Sequence, residues 1–191
     1  MLIALTGGIG VGKSVVASVL RNMGYPVYDC DSRAKILMDE DEAIITRIGQ
    51  DVASDAIMEG KIDRRALSKA VFGNPDKLEC LNRIVHSVVR DDLLIWKGRF
   101  PLAFVETAIL YSSGFDAIVD VVWEVTAPLD VRISRVIGRN PELTGGDVCN
   151  RIKAQAKELE SQRHPDTHII INDDVRPLLP QIEYLVDLLY C

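Results

Sequence analysis

Residues 7–14 read Gly-Gly-Ile-Gly-Val-Gly-Lys-Ser, and this run constrains the chain more than any other feature. It satisfies the pattern G-x-x-x-x-G-K-[ST], with an apolar segment before it and an amphipathic one after it. Glycines at such a turn let the backbone adopt positive φ and approach a ligand closely. Successive backbone N–H groups then form a nest for phosphate oxygens, and the following helix points its positive end at the same place. Gly8, Ile9, Gly10, Val11 and Gly12 are the expected cradle. Lys13 is expected to reach the β- and γ-phosphates of a bound nucleotide, and Ser14 to offer its hydroxyl to Mg²⁺. The plain alternative is a glycine-rich turn beside an exposed lysine, and the strand–turn–helix context disfavours it.

The rest of the chain alternates strand and helix. Residues 2–6, 26–30, 101–106, 119–125 and 168–172 read as strands. Residues 13–23, 131–139, 148–162 and 177–190 read as helices, with Val15, Val16, Val19, Leu20 and Met23 on one side of the first and Gly24 as its terminator. Strands separated by helices predict a parallel sheet with helices on both faces. Residues 32–96 break the alternation. They show helical periodicity over 43–57, 64–72 and 77–96, punctuated by Gly60 and Asn74-Pro75, and no convincing strand. The expected architecture is an α/β phosphate-binding core of residues 1–31, 98–139 and 166–191. A helical insertion at 32–97 and a helical lid at 140–165 complete it.

With 191 residues, about half of them apolar, one such domain can bury a core without metals or disulfides. Its net charge of −6 excludes the broad basic surface of a dedicated nucleic-acid binder. The short acidic run at 38–42 reads as a solvated helix end. The four cysteines, Cys30, Cys80, Cys149 and Cys191, fit no zinc spacing and read as free thiols of a cytoplasmic protein. No secretory leader and no membrane-spanning run is expected, and the sequence leaves open whether the chain forms a homo-oligomer.

Several further groups could do chemistry. Asp29 and Asp31 flank Cys30 at the end of the second strand, where ligands gather in a parallel sheet. Alternation along the strand would put both carboxylates on one face. One of them, Asp31 by preference, could take a proton from an attacking hydroxyl, while Asp29 supports it or caps the next helix. Arg132, Arg135 and Arg139 share a helix face. Arg139, beside the 141–146 break, is favoured to hold the phosphoryl group in flight, whereas Arg132 reads as part of a solvated basic face. Arg151, Lys153 and Lys157 charge the lid helix. Glu106 ends the third strand, either near the metal or as an edge carboxylate without a role. His86, among Ile84, Val85, Val88 and Val89, reads from the residues alone as a buried core histidine.

A nucleotide cradle is compatible with kinases, switch GTPases and mechanical ATPases. Neither N-K-x-D nor D-x-x-G occurs, and mechanical ATPases need longer chains, so a small-molecule kinase fits best. Another nucleoside or metabolite kinase, or a nucleotide binder without catalysis, are the competing readings.

The motifs together resemble the dephospho-coenzyme A kinase family over nearly the whole chain. The resemblance rests on residues 4–14, on Asp29-Cys30-Asp31, on 60–67 with 71–75, and on 81–86. It rests also on Arg135 with Arg139, on Arg151-Ile152 with Gln155, and on 170–173. It implies a P-loop NTPase core, ATP and Mg²⁺, and phosphorylation of the ribose 3′-hydroxyl of dephospho-CoA, the last step of coenzyme A synthesis. It implies Asp31 as base, Lys13 and Arg139 at the phosphoryl group, and Arg135 and Asn172 at the nucleotide. It raises His86 from a core histidine to an acceptor-site residue and puts Arg64 in the insertion that holds the acceptor; Asp29, Asp31 and Glu106 complete the expected acceptor site. Ser87, Ala108, Ser112, Asn140 and Asp174 depart from the family pattern, where Pro, Pro, Glu, Asp and Gly are usual.

Overall fold

The computed structural model describes residues 1–161 and 163–190, without the side chains of 157–161. Gln162, Cys191 and the side chain of Lys157 therefore lie outside the described residues. The chain divides into two compact units, residues 1–28 with those from Phe100 onward, and Asp29–Arg99.

The first unit is built on a five-stranded sheet. Its strands are β1 (Leu2–Thr6), β2 (Val27–Asp29), β5 (Ala103–Glu106), β6 (Val121–Thr126) and β7 (Thr167–Ile171), in the order β2-β5-β1-β6-β7. β1 runs parallel to β5 and β6, and β6 parallel to β7. All five residues of β1 are buried. A continuous apolar run is what a central parallel strand requires, because helices cover both of its faces. The strand order reverses direction beside β1, and the carboxyl end of β1 at that switch point is where the glycine-rich turn begins.

Helix α1 (Lys13–Asn22) buries Val16, Ala17 and Leu20, while Val15 and Met23, expected on the same side, are exposed. The apolar stripe is thus rotated toward Ala17. Tyr25 N donates to Leu20 O at 3.0 Å and Gly24 N to Arg21 O at 3.0 Å, a Schellman stop that confirms Gly24 as terminator. Helices α6 (Leu129–Arg139), α7 (Gly145–Ser161) and α8 (Leu178–Leu188) complete the unit. The core joins Ile3, Leu5, Phe104, Trp123 and Ile170 to Leu20, Ile182 and Val186. Helix α7 starts with a reciprocal cap: Asp147 N donates to Thr144 Oγ1 at 3.2 Å, and Thr144 N to Asp147 Oδ2 at 3.0 Å.

The second unit is mainly helical: α2 (Cys30–Glu40), α3 (Glu42–Asp51), α4 (Arg64–Val71) and α5 (Pro75–Lys97). Each starts on an Asx cap, Asp29, Asp41, Asp63 and Asn74 in turn, and Pro75 sits in the first turn of α5. Asp41 of the acidic run is therefore a helix cap. Ile44, Ile48, Leu67 and Ile84 are among its buried core, and the Arg33 guanidinium forks onto Asp92 at 3.0 and 2.7 Å to tie α2 to α5.

The expectation of no strand in this region is corrected. β3 (Ile57–Met58) and β4 (Lys61–Ile62) form an antiparallel hairpin turned by Glu59 and Gly60 at φ 51 and 77. Residues 54–56, read as the end of a longer helix, form a 3-10 turn leading into it. Among the described residues no helix is long and apolar enough to cross a membrane.

Candidate active site

The turn after β1 is held from three directions, all within the first unit. From below, Asn172, which follows β7 and is 7% exposed, donates from Nδ2 to Val11 O at 2.8 Å. Its Oδ1 accepts from Arg135 at 3.2 Å, and a second nitrogen of that guanidinium reaches the carbonyls of Gly10 and Val11 at 3.4 and 3.3 Å. Arg135 also pairs with Asp174. Asp174 has φ 63, so the backbone there is left-handed, a conformation that aspartate tolerates better than most residues. Gly12 has φ 92, and a β-carbon there would lie 2.2 Å from Asn172 Nδ2. Residue 12 must therefore be glycine for Asn172 to fasten the loop.

From the side comes α6. Arg132 donates from Nε to Ile9 O at 2.9 Å. The reading of Arg132 as part of a solvated basic face is corrected: the side chain is half-buried against the loop, and burial lowers the pKa of its guanidinium. From above comes α7, whose Gln155 Oε1 accepts from Ile9 N at 2.7 Å. Ile9 also packs into a small apolar cluster with Val136, Val148 and Ile152, which joins α6, α7 and the loop. Lys13 Nζ bonds the carbonyls of Gly7 and Gly8 at 2.8 and 3.4 Å. Ser14 is exposed in the first turn of α1. Positively charged donors and a helix N-terminus thus converge on residues 7–14, an arrangement suited to a polyphosphate.

The remaining expected residues fall as follows. Glu106 ends β5 in register with Leu5 and lies 3.8 Å from the Arg21 guanidinium. Arg139 is exposed in the last turn of α6. In the second unit, β2 has given way to α2 at Cys30, so strand alternation does not relate Asp29 to Asp31. Asp29 caps α2 through Ser32 N at 3.1 Å, one of the two roles expected for it. Asp31 is exposed in the first turn of that helix. Arg64 pairs with Asp39 at 2.9 Å, and both are largely exposed. His86 is half-buried in α5, and burial lowers its pKa.

Two contributors escaped reading from the residues alone. Gln155 entered only through family resemblance, because a lone glutamine on a charged helix carries no chemical signal. Arg132 is visible in the sequence on the same helix face as Arg135, but that spacing alone does not tell a loop-facing arginine from a solvated one.

Comparison with known proteins agrees with this geometry. The dephospho-CoA kinase family model matches residues 1–176. The dephospho-CoA kinase of Porphyromonas gingivalis is 35% identical over 187 residues, 97% of this chain and 92% of that protein. A crystal structure of a Thermus thermophilus protein is 33% identical, with a TM-score of 0.78 over 100% of this chain and 96% of that one. The dephospho-CoA kinase structure from Campylobacter jejuni has a TM-score of 0.67 at 21% identity, covering 99% and 95%, and supports the fold. The chain belongs to the dephospho-CoA kinase family, phosphotransferases that use ATP to convert dephospho-CoA into coenzyme A in the final step of coenzyme A synthesis.

Proposed function

We propose that the chain transfers the γ-phosphoryl group of ATP to the ribose 3′-hydroxyl of dephospho-CoA, with the residue roles that follow. The observation that supports this most is an intact, three-sided cradle at residues 7–14 in a chain matched by its family model along residues 1–176. Backbone N–H groups of residues 8–14, apart from that of Ile9, which Gln155 holds, take the phosphate oxygens, and Lys13 leaves its carbonyl partners for the β- and γ-phosphates. Asn172 and Arg135 act on the nucleotide through Val11, whose carbonyl both hold. Arg139 meets the phosphoryl group in flight.

The acceptor belongs to the helical insertion at 32–97, with Arg64 and His86, together with Asp29 and Glu106 of the core. Asp31 accepts the proton as the 3′-oxygen attacks. The new bond joins that oxygen to the γ-phosphorus, the bond to the bridging oxygen breaks, and ADP leaves. Most of the acceleration comes from positioning and charge stabilisation.

Ser14 fits Mg²⁺. Its hydroxyl is a hard oxygen donor, and no group of three or more His, Cys, Asp or Glu able to hold a metal occurs among the described residues. Ser14 would be its ligand on the protein, and the ion would supply charge neutralisation at the transferring phosphoryl group.

Cys80 and Cys149 are free thiols, as a cytoplasmic enzyme with a small soluble acceptor would have them. Incubation with ATP, Mg²⁺ and dephospho-CoA, followed by mass spectrometry and digestion of the product, tests the reading. A single added phosphate at the ribose 3′ position supports it. A phosphate elsewhere, or none, overturns it.

A further inference from the structure

Arg132 is the one group at the loop whose setting the proposed roles leave unexplained. It is half-buried, and desolvation of a guanidinium is costly unless an anion accompanies it. Yet none of the ion pairs among the described residues involves Arg132, whereas Arg135, three residues on, has Asp174. Its Nε is used by Ile9 O at 2.9 Å, which leaves the two terminal nitrogens of the fork. One of these lies so close to Gly8 that a β-carbon there would sit 2.3 Å from Nη2 and 3.2 Å from Cζ. Gly8 has no positive φ, so what a side chain there would have to displace is the Arg132 fork and not a strained backbone. Lys13 Nζ lies on the carbonyls of Gly7 and Gly8. Two cations thus converge on three consecutive residues of an anion cradle, and what both bond there is backbone carbonyl.

We propose that Arg132 is a phosphate-binding residue of this chain, its guanidinium fork taking the same terminal phosphates of ATP as Lys13, with Gly8 kept bare to let it in. The inference rests on the ATP-binding reading above and adds to it a residue of the machinery. Held by Ile9 at one edge, the planar fork is pre-oriented, so little side-chain freedom is lost when it grips phosphate oxygens. The anion supplies the charge that the buried guanidinium lacks. Gln155 Oε1 is also within 3.4 Å of where a Gly8 β-carbon would stand, so the lid helix closes the same corner.

The test compares Arg132→Gln and Arg132→Lys with the wild-type protein. Binding of fluorescent ATP and AMP analogues is measured, with thermal unfolding as the check on folding. The proposal predicts that Arg132→Gln weakens ATP by about tenfold or more while AMP, which lacks the terminal phosphates, stays within about twofold. Arg132→Lys, which keeps charge but not the fork, recovers part of the loss. Unchanged ATP affinity, or an equal loss for ATP and AMP, would show that Arg132 only supports the loop and would overturn the proposal. Turnover with dephospho-CoA is followed in parallel on the wild type. A wild type that binds ATP but ignores dephospho-CoA refutes the acceptor reading and leaves the Arg132 result standing on its own.

Discussion

Replacing Asn172 with alanine removes the fastening beneath the phosphate loop, and its cost can be worked from two hydrogen bonds. The first, Nδ2 to Val11 O at 2.8 Å, is neutral, and Val11 O keeps Arg135 as a donor at 3.3 Å, so no acceptor is orphaned. Its loss costs about 1 kcal/mol. The second, from Arg135 at 3.2 Å, is charge-assisted, but Arg135 retains Asp174 and the loop carbonyls. Its loss therefore sits near the lower end of its class, about 1.5 kcal/mol. Together these give about 2.5 kcal/mol, which in a domain of this size lowers the melting temperature by roughly 5–10 °C. Because the loop loses an anchor at Val11, the KM for ATP rises more than kcat falls. Differential scanning calorimetry and steady-state kinetics read both effects. A variant that melts within about 2 °C of wild type, with an unchanged KM for ATP, would refute the view that Asn172 holds the loop.

Asp31→Asn should leave ATP affinity intact and lower kcat by about 10²- to 10⁴-fold, the usual contribution of a general base; turnover within a few-fold of wild type would remove Asp31 from that role. Asp63→Ala deletes the cap that accepts from Arg65 N at 2.8 Å and Ala66 N at 3.0 Å, and should cost about 1 kcal/mol in chemical denaturation. His86 titrates below its ordinary 6.5 because burial disfavours the cation. The unfolded chain therefore takes up this proton first, and stability is full above about pH 6.5 and declines as pH falls toward the folded value. The melting temperature of His86→Asn should fall less than that of wild type between about pH 7 and 5; parallel curves would show that His86 does not carry the linkage.

The parts of the fold that the sequence announces are those with a local physical cause. β1 is a run of four apolar residues and Thr6 stopped by glycine, and the Gly24 stop and the 7–14 turn carry their own chemistry. The β3–β4 hairpin did not announce itself, because strands of two residues have no period and Glu59 occupies a turn position where asparagine or glycine would have been the signal. The end of β2 was misjudged by one residue, and that residue decides whether Asp31 stands on a strand or a helix. The surroundings of Arg132 were hidden for a different reason. Its burial comes from Ile9 and Gly8, more than a hundred positions away, and helical spacing cannot report a partner that distant. The departures from the family pattern divide similarly. Asp174 has a visible consequence, a left-handed residue paired with Arg135, and Ser87 donates to Ile84 O at 2.9 Å within α5. Nothing in the structure explains Ala108 or Ser112.

Release of ADP by purified protein with Mg²⁺ shows whether this chain moves phosphate from ATP to dephospho-CoA. ADP should appear in strong dependence on dephospho-CoA, with coenzyme A formed in equal amount. ADP release that is indifferent to dephospho-CoA but responds to another hydroxyl acceptor, or no release while ATP still binds, would contradict the account.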